Sequence, residues 1–259
     1  MKPLVGTQPL GIVGSGALFV VPAAMLYGTH YFLIPAFVSS KGVPYLVGYL
    51  IGWPLTMALF LLAAVLGYRL EGYPIRWGIL ASRFRMKGMP GRDWLWALGL
   101  FAVSLALYFG LGFTSEWLAR VPWLAPHPLA PADFGPQAAT ARIPGFFMGM
   151  PLAGQWWVAL VFIVGWLLNI FGEEMWFRGY LLPRQELAMG ARAWIANGLM
   201  FGFNHIWQPW NLLLILPSAL LGAYIVQKRR NTWILILMHG LMNLTLVVTV
   251  VLNVAGVAV

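Results

Sequence analysis

The chain has 259 residues, of which 61% are hydrophobic and only 9% are charged. Because soluble domains contain about 25% charged residues, this composition excludes a soluble globular protein and predicts membrane spans joined by short loops. The net charge of +9 does not indicate nucleic-acid binding, since the basic residues fall between apolar segments and form no single face. Cysteine is absent, which excludes disulfides, thiolate metal sites and a cysteine nucleophile.

Seven segments approach the length of about 20 apolar residues that a membrane span requires. They lie at residues 11–38, 44–68, 94–118, 155–182, 192–208, 211–227 and 232–254, and the fifth and sixth are short. The first is longer than a signal-peptide core and lacks a convincing cleavage site, so we predict a retained span. The expected fold is an all-α polytopic transmembrane bundle of about seven spans, with an eighth as the alternative.

The distribution of basic residues predicts the orientation of this bundle. Of the 16 lysine and arginine residues, only Lys41, Arg120 and Arg142 fall on one side, and the other 13 fall on the opposite side. The side rich in basic residues is expected to be cytoplasmic. We therefore expect an integral membrane protein whose N-terminus is cytoplasmic and whose C-terminus is external.

Three regions are expected along the chain. Residues 1–119 form an N-terminal three-span region, residues 120–154 a proline-rich extracytoplasmic loop, and residues 155–259 a helical core that carries the chemistry. The seven prolines of the loop prevent a regular helix through its middle. The loop is interpreted as a linker, with a substrate-guiding lid as the alternative, and its segment 143–150 is apolar enough to contact the bilayer surface.

Glu173 and Glu174 follow the apolar run 156–172, and Arg178 comes shortly after them. Ionisable side chains at membrane depth are costly, so they are candidates for function. Glu174 and Arg178 are four residues apart and are expected to form a buried pair on one helix face. Glu173 is rotated by about 100° and is expected to point elsewhere, as a general base. The alternative is that the three charges simply mark the end of a span.

Two further pairs of residues, each four apart, lie on later spans: Phe201 with His205, and His239 with Asn243. An intramembrane histidine is often a packed core residue, and His30 in the first span, which has no companion motif, is interpreted in this way. At about 1.5 Å per helical residue, Glu173, His205, His239 and Asn243 all lie about 14–20 Å from the basic side. They can therefore meet in one layer, provided that the fourth span continues to about residue 182.

A carboxylate, two imidazoles and an amide in one pocket suit the hydrolysis of a peptide bond. Glu173 and His205 could deprotonate a water molecule, and His239 and Asn243 could donate hydrogen bonds to the developing oxyanion. No cofactor is expected, although a zinc site at Glu173, His205 and His239 stays open. An aspartyl dyad is excluded because both aspartates flank or leave the spans, His-Glu-x-x-His is absent, and a pair of Ser218 with His239 fits less well.

The three patterns Glu-Glu-x-x-x-Arg, Phe-x-x-x-His and His-x-x-x-Asn, in this order and on apolar helices, resemble the motifs of the CAAX-protease and bacteriocin-processing family, also called CPBP or Abi. The resemblance covers residues 155–255. It implies an all-helical intramembrane glutamate-dependent endopeptidase, similar to the Ras-converting endoprotease. By analogy, Glu173 and His205 activate the water, His239 and Asn243 form the oxyanion hole, and Glu174, Arg178 and Phe201 support the site.

The resulting hypothesis is a membrane-embedded endopeptidase whose pocket lies toward the cytoplasmic side. Its partners would be the lipid bilayer and a membrane-associated peptide or protein tail, with or without a lipid modification. The alternative from another class is a non-catalytic receptor or immunity protein that binds a hydrophobic peptide in the same cavity. A transporter is less consistent with the sequence, because paired repeats and broken helices are not seen.

Overall fold

A computed structural model of the chain describes residues 6–129, 135–136 and 145–257. These parts are essentially all-helical, as predicted. The helices are α1 (Ile12–Gly28), α2 (Ile34–Lys41), α3 (Tyr45–Leu70), α4 (Trp77–Arg83), α5 (Gly91–Leu111), α6 (Phe113–Leu118), α7 (Trp156–Glu173), α8 (Leu182–Met189), α9 (Ala193–Asn204), α10 (Leu212–Arg229) and α11 (Trp233–Val254). Strands β1 (Phe146–Phe147) and β2 (Met150–Pro151) form a small antiparallel hairpin.

Within the described residues, six helical runs are long and apolar enough to cross a membrane. They are Ile12–Lys41, Tyr45–Leu70, Gly91–Leu111, Trp156–Asn204, Pro209–Arg229 and Trp233–Val254. The seven predicted spans differ from these six runs at one place, because the predicted fourth and fifth spans fall in the single run Trp156–Asn204. With 12 residues, α9 is about 18 Å long and is too short to span the hydrocarbon core alone.

The run Trp156–Asn204 folds back on itself. Gly190 has φ +58°, a conformation that favours glycine, and it ends α8. In α9, Asn197 then donates to the carbonyl of Phe177 at 2.9 Å and to the Gln185 side chain at 2.8 Å. The chain therefore passes through the bundle along α7 and returns part of the way along α9, so the two arms correspond to the predicted fourth and fifth segments.

The bundle has two ends, and contacts between neighbouring helix ends define each of them. At one end, ion pairs join Arg83 to Glu71 and Arg229 to Asp93, both at 2.7 Å, so the end of α3, α4, the start of α5 and the end of α10 lie together. We call this the basic end. At the other end, the Gly154 N–H donates to the carbonyl of Val254 at 2.8 Å. We call this the loop end.

The β-hairpin packs into the bundle at the loop end. The Leu46 N–H donates to the carbonyl of Met148 at 3.0 Å, and Phe147, Met148 and Leu152 are buried. Of the described residues of segment 143–150, Gly145, Phe146 and Gly149 are exposed, whereas Phe147 and Met148 are buried and do not contact the bilayer surface as expected. The apolar side chains of this segment instead complete a buried cluster with α3, α7 and α11. Residues 137–144 lie outside the described part of the chain.

The close approach of α7 to α3 sets the position of the carboxylates. A Cβ atom on Gly172 would lie 2.5 Å from the carbonyl oxygen of Met57, and one on Gly165 would lie 2.7 Å from the Trp53 ring. Only glycine at these two positions allows the helices to pack this closely. Glu173 follows directly and is buried, so the close packing of α7 on α3 fixes its position inside the bundle.

Candidate active site

A cavity of about 590 Å³ lies inside the bundle and is lined by residues from seven of its helices. All seven residues predicted for the site line this cavity: Glu173, Glu174, Arg178, Phe201, His205, His239 and Asn243. They come from α7, the following π-helical segment, α9 with its last turn, and α11. The tertiary structure therefore brings together side chains that are up to 70 residues apart in the sequence.

The segment Glu174–Leu181 is a π-helix in which every residue is buried. Pro183 follows it, and because proline has no N–H, it cannot bond the carbonyl of Gly179 four residues earlier. Arg83 from α4 donates to that carbonyl at 3.2 Å instead. A second π-helical segment, Thr29–Leu33, also precedes a proline, Pro35. The wider helical turn changes the direction of the side chains that follow Glu173.

Glu174 is bonded on two sides. Its Oε1 atom lies 3.4 Å from Arg178 Nη1, which is the i,i+4 contact that the sequence predicts. The same oxygen lies 2.9 Å from His239 Nδ1. The Glu174 and Arg178 side chains are only 1–2% exposed, so each charge depends on its partner inside the bundle.

Glu173 differs from Glu174 in its surroundings. Its nearest charged partner is His239, whose Nε2 lies 4.0 Å from Glu173 Oε2. Among the residues that the structure describes, none donates a hydrogen bond to its carboxylate. Among the described residues, Glu173 forms no ion pair with Arg178, and the two carboxylates face the same cavity and approach the His239 imidazole from its two nitrogens.

His205 presents one defined nitrogen to the cavity. Its Nδ1 lies 3.0 Å from the carbonyl of Phe201, and since a carbonyl only accepts, Nδ1 must carry the proton. The neutral imidazole therefore has its lone pair on Nε2. The Phe201 ring lies under the Arg178 guanidinium at 3.6 Å and contacts the His205 ring at 4.9 Å. Phe201 thus separates Arg178 from His205 and fixes both in place.

Asn243 is held by a residue that the sequence interpretation missed. Its Nδ2 donates to Asn169 Oδ1 at 3.1 Å, and Asn169 Nδ2 contacts the Met57 sulfur at 3.3 Å. Asn169 is buried and lies one turn before Glu173, so it also lines the cavity. A signal was present in the sequence, since Asn169 is the one amide in the apolar run 156–172.

The first span supports the turn that follows His205. His30 is buried and its ring stacks on Trp207 at 4.2 Å, while its Nδ1 lies 2.8 Å from the carbonyl of Leu26. The Tyr31 hydroxyl donates to the carbonyl of Trp207. The N-terminal region is therefore in direct contact with the site.

Glu173, His205 and His239 were the alternative ligands for zinc. In the parts of the chain that are described, no group of three or more His, Cys, Asp or Glu side chains lies close enough together to hold a metal ion. The three side chains face one cavity without converging on one point. Their arrangement fits separate roles around a substrate better than it fits a shared ion.

Comparison with known proteins identifies the class. Residues 155–245 match the family described as Rce1-like, type II CAAX prenyl endopeptidase. Over this segment, which contains α7 to α10 and the first half of α11, the chain is similar to that family of peptidases. Together with its apolar helical runs, the match makes it an integral, multi-pass membrane protein. No curated protein and no solved structure matches the chain.

Proposed function

We propose that this protein is an intramembrane endopeptidase that uses Glu173 to activate water. The observation that carries the proposal is the pair of unlike carboxylates: Glu174 is held by Arg178 and His239, whereas Glu173 faces the cavity with its carboxylate unbonded among the described residues. A carboxylate in that state is available to bind a water molecule and take its proton.

Each side chain has a role in the proposed reaction. Glu173 and the Nε2 lone pair of His205 orient a water molecule and remove its proton as its oxygen attacks the scissile carbonyl carbon. His239 acts as an imidazolium, since its Nδ1–H already donates to Glu174, and its Nε2–H and the second Nδ2 hydrogen of Asn243 donate to the resulting oxyanion. When the carbon–nitrogen bond breaks, Glu173 returns the proton to the leaving amine. Glu174 holds His239 from its Nδ1 side and does not contact the reacting atoms.

We further propose that the reaction needs no metal ion, consistent with the separation of Glu173, His205 and His239. Chelators are expected to leave cleavage unchanged in purified protein. Loss of cleavage on chelation, with recovery on adding zinc, would contradict this part of the proposal and favour a zinc-bound water.

The central test compares wild-type protein with Glu173→Gln, expressed at equal levels together with a candidate substrate. Removing a general base is expected to lower the rate by about 10²–10⁴-fold. The termini of membrane proteins in the two strains, identified by mass spectrometry, would reveal the natural substrates. If Glu173→Gln cleaves normally, the proposal is wrong; binding of a hydrophobic peptide without cleavage by either protein would favour the receptor or immunity function.

The substrate is proposed to be a membrane-associated peptide or protein tail. The family description names CAAX prenyl substrates, and Leu26, Met57, Phe162 and Leu214 give the cavity apolar walls that suit a lipid chain. A farnesylated peptide and the same peptide without its lipid should be compared at equal concentration. Faster cleavage of the farnesylated form would assign a prenyl substrate, and equal rates would assign an unmodified peptide.

A further inference from the structure

The cavity is closed at the basic end. Arg178, Leu181 and Leu235 beneath it are each about 1% exposed or less. Below them, the α10–α11 turn is fastened to the segment after α4. The Thr232 hydroxyl donates to the carbonyl of Phe84 at 2.7 Å, and the Thr232 N–H donates to the carbonyl of Arg85 at 3.0 Å. A substrate could not reach Glu173 from this end without breaking these contacts.

Toward the loop end, α5 and α11 stop packing against each other. Ala97 and Leu100 of α5 belong to one buried apolar cluster with Leu235 and Met238 of α11. Beyond this cluster the facing residues line the cavity: Ser104 and Tyr108 on α5, and Thr245, Leu246 and Thr249 on α11. Thr245 and Leu246 are also exposed, and Thr249 is partly exposed. Among the described residues, the cavity therefore opens between α5 and α11 in the loop-end half of the bundle.

A polar rim lies near this opening. Gln208 and Asn211 line the cavity at the loop end and are partly exposed. The Asn211 amide donates to Gln208 at 3.0 Å and accepts from the Ser115 hydroxyl at 2.8 Å. A polar rim of this kind admits the water that hydrolysis consumes.

Two polar groups between the opening and Glu173 lack a partner. The Ser104 hydroxyl and the Trp166 indole N–H are buried without a hydrogen bond in the structure, and both residues line the cavity. Buried polar groups are normally bonded, so these two are available to a ligand that carries donors and acceptors. A peptide backbone supplies both, and a hydrocarbon chain supplies neither.

We propose that the substrate is a peptide segment that enters from the loop-end half of the membrane, between α5 and α11, and bonds Ser104 and Trp166 on its way to Glu173. The peptide nature of the substrate rests on the proposed function, whereas the direction of entry rests on the geometry alone. The positive-inside rule places the loop end outside the cytoplasm. The substrates are then segments that lie in the outer half of the membrane, whereas the sequence predicts a pocket toward the cytoplasmic side.

The absence of cysteine from the chain permits a direct test by single-cysteine labelling. Ser218→Cys reports on the cavity, which Ser218 lines. Ser40→Cys marks the loop end and Gly78→Cys marks the basic end, since both residues are exposed at the surface. A charged, membrane-impermeant thiol reagent is applied to intact cells and to inverted membrane vesicles. Ser218→Cys is expected to react in the preparation in which Ser40→Cys reacts, and to be protected in the other.

A second variant tests the opening itself. Thr249→Trp adds a large side chain at the cavity wall and is expected to slow the labelling of Ser218→Cys. Val248→Trp is the matched control, because Val248 is exposed on the same helix but does not line the cavity. Labelling of Ser218→Cys from the basic end, from both sides or from neither would overturn the proposal. Labelling requires no proteolysis, so its result does not depend on the outcome of the Glu173→Gln test.

Finally, Ser104→Ala and Trp166→Phe test the two hydrogen bonds. Each is expected to raise KM with little change in kcat, because the groups bind the peptide away from the reacting atoms. An equal KM for both variants and wild type would remove Ser104 and Trp166 from the proposal.

Discussion

Two adjacent glutamates are distinguished by what surrounds them. Both are buried and both face His239. Only Glu174 is bonded on two sides, because its Oε1 lies 3.4 Å from Arg178 Nη1 and 2.9 Å from His239 Nδ1. Glu173 has no such fixed partner in the described part of the chain. The same chemical group is therefore structural in one position and available for chemistry in the next.

This difference predicts opposite effects of two conservative substitutions. Glu174→Gln leaves the Arg178 charge buried without a counter-charge and is expected to lower the free energy of unfolding by about 3–5 kcal/mol. Glu173→Gln removes no ion pair with Arg178 and is expected to alter stability much less while abolishing cleavage. Thermal unfolding in detergent measures the first effect, and peptide cleavage the second.

The double variant Glu174→Gln with Arg178→Met is the control for this experiment. It removes both charges and keeps an apolar side chain over Phe201, so part of the lost stability should return. Equal instability of the single and double variants would show that the Glu174–Arg178 pair does not account for the loss.

Asn169 and Asn243 permit a second comparison at this scale. Asn243→Ala removes a proposed oxyanion donor and is expected to lower kcat by about 10²–10³-fold. Asn169→Leu removes the acceptor that orients Asn243, a hydrogen bond of about 1 kcal/mol, and the contact to the Met57 sulfur, so a loss of roughly fivefold is expected. Asn169→Asp keeps an acceptor oxygen and should retain more activity than Asn169→Leu. Equal activities of the two Asn169 variants would argue against a positioning role.

At the scale of elements, the site depends on how α7 continues into the π-helix. Pro183 removes the N–H that would bond Gly179, and Arg83 satisfies that carbonyl from α4 while it is itself bonded to Glu71. Asn197 of α9 adds a second hydrogen bond to the carbonyl of Phe177, which also accepts from the Leu182 N–H. Neighbouring elements thus hold open the wide turn that carries Glu174 and Arg178.

Gly172 tests the contact between α7 and α3. Gly172→Ala would bring a methyl group to 2.5 Å from the Met57 carbonyl, so α7 must shift. We expect a loss of about 1–3 kcal/mol in stability together with reduced cleavage, because Glu173 moves with the helix. Thermal unfolding and cleavage assays measure the two effects.

Gly99→Ala is the matched control, since a Cβ atom at Gly99 in α5 meets nothing within 4 Å. In an open helical position alanine is more favourable than glycine by up to about 1 kcal/mol. Similar losses in both variants would show that the effect is not specific to the packing of α7 on α3.

For the whole molecule, the distribution of charge predicts the orientation in the membrane. The basic end carries most of the arginine and lysine residues and should face the cytoplasm. Gly78→Cys should therefore react with an impermeant thiol reagent only after the cells are permeabilised, and Ser40→Cys in intact cells. The reverse pattern would place the basic end outside and invert the membrane half from which the substrate comes.

The sequence predicted most of the architecture, and the residues that it predicts for the site line one cavity. Apolar segments of about 20 residues revealed the spans, and the spacing of four residues paired Glu174 with Arg178 correctly. Two features could not be predicted from local rules. The two carboxylates approach one imidazole from its two nitrogens, because α11 places His239 between them. The fifth span became the short α9, because the chain reverses at Gly190 and α9 packs along α10.

What the sequence determined by itself is local: which segments are apolar enough for the membrane, which charges are too costly to be incidental, and which pairs share a helix face. What only the tertiary structure decided depends on contacts between distant segments. These contacts include the hydrogen bond of Asn169 to Asn243, the closure of the basic end by Thr232 and the opening between α5 and α11. Helix periodicity fixes the neighbours of a residue within its own turn, whereas its neighbours across the bundle depend on how whole helices pack.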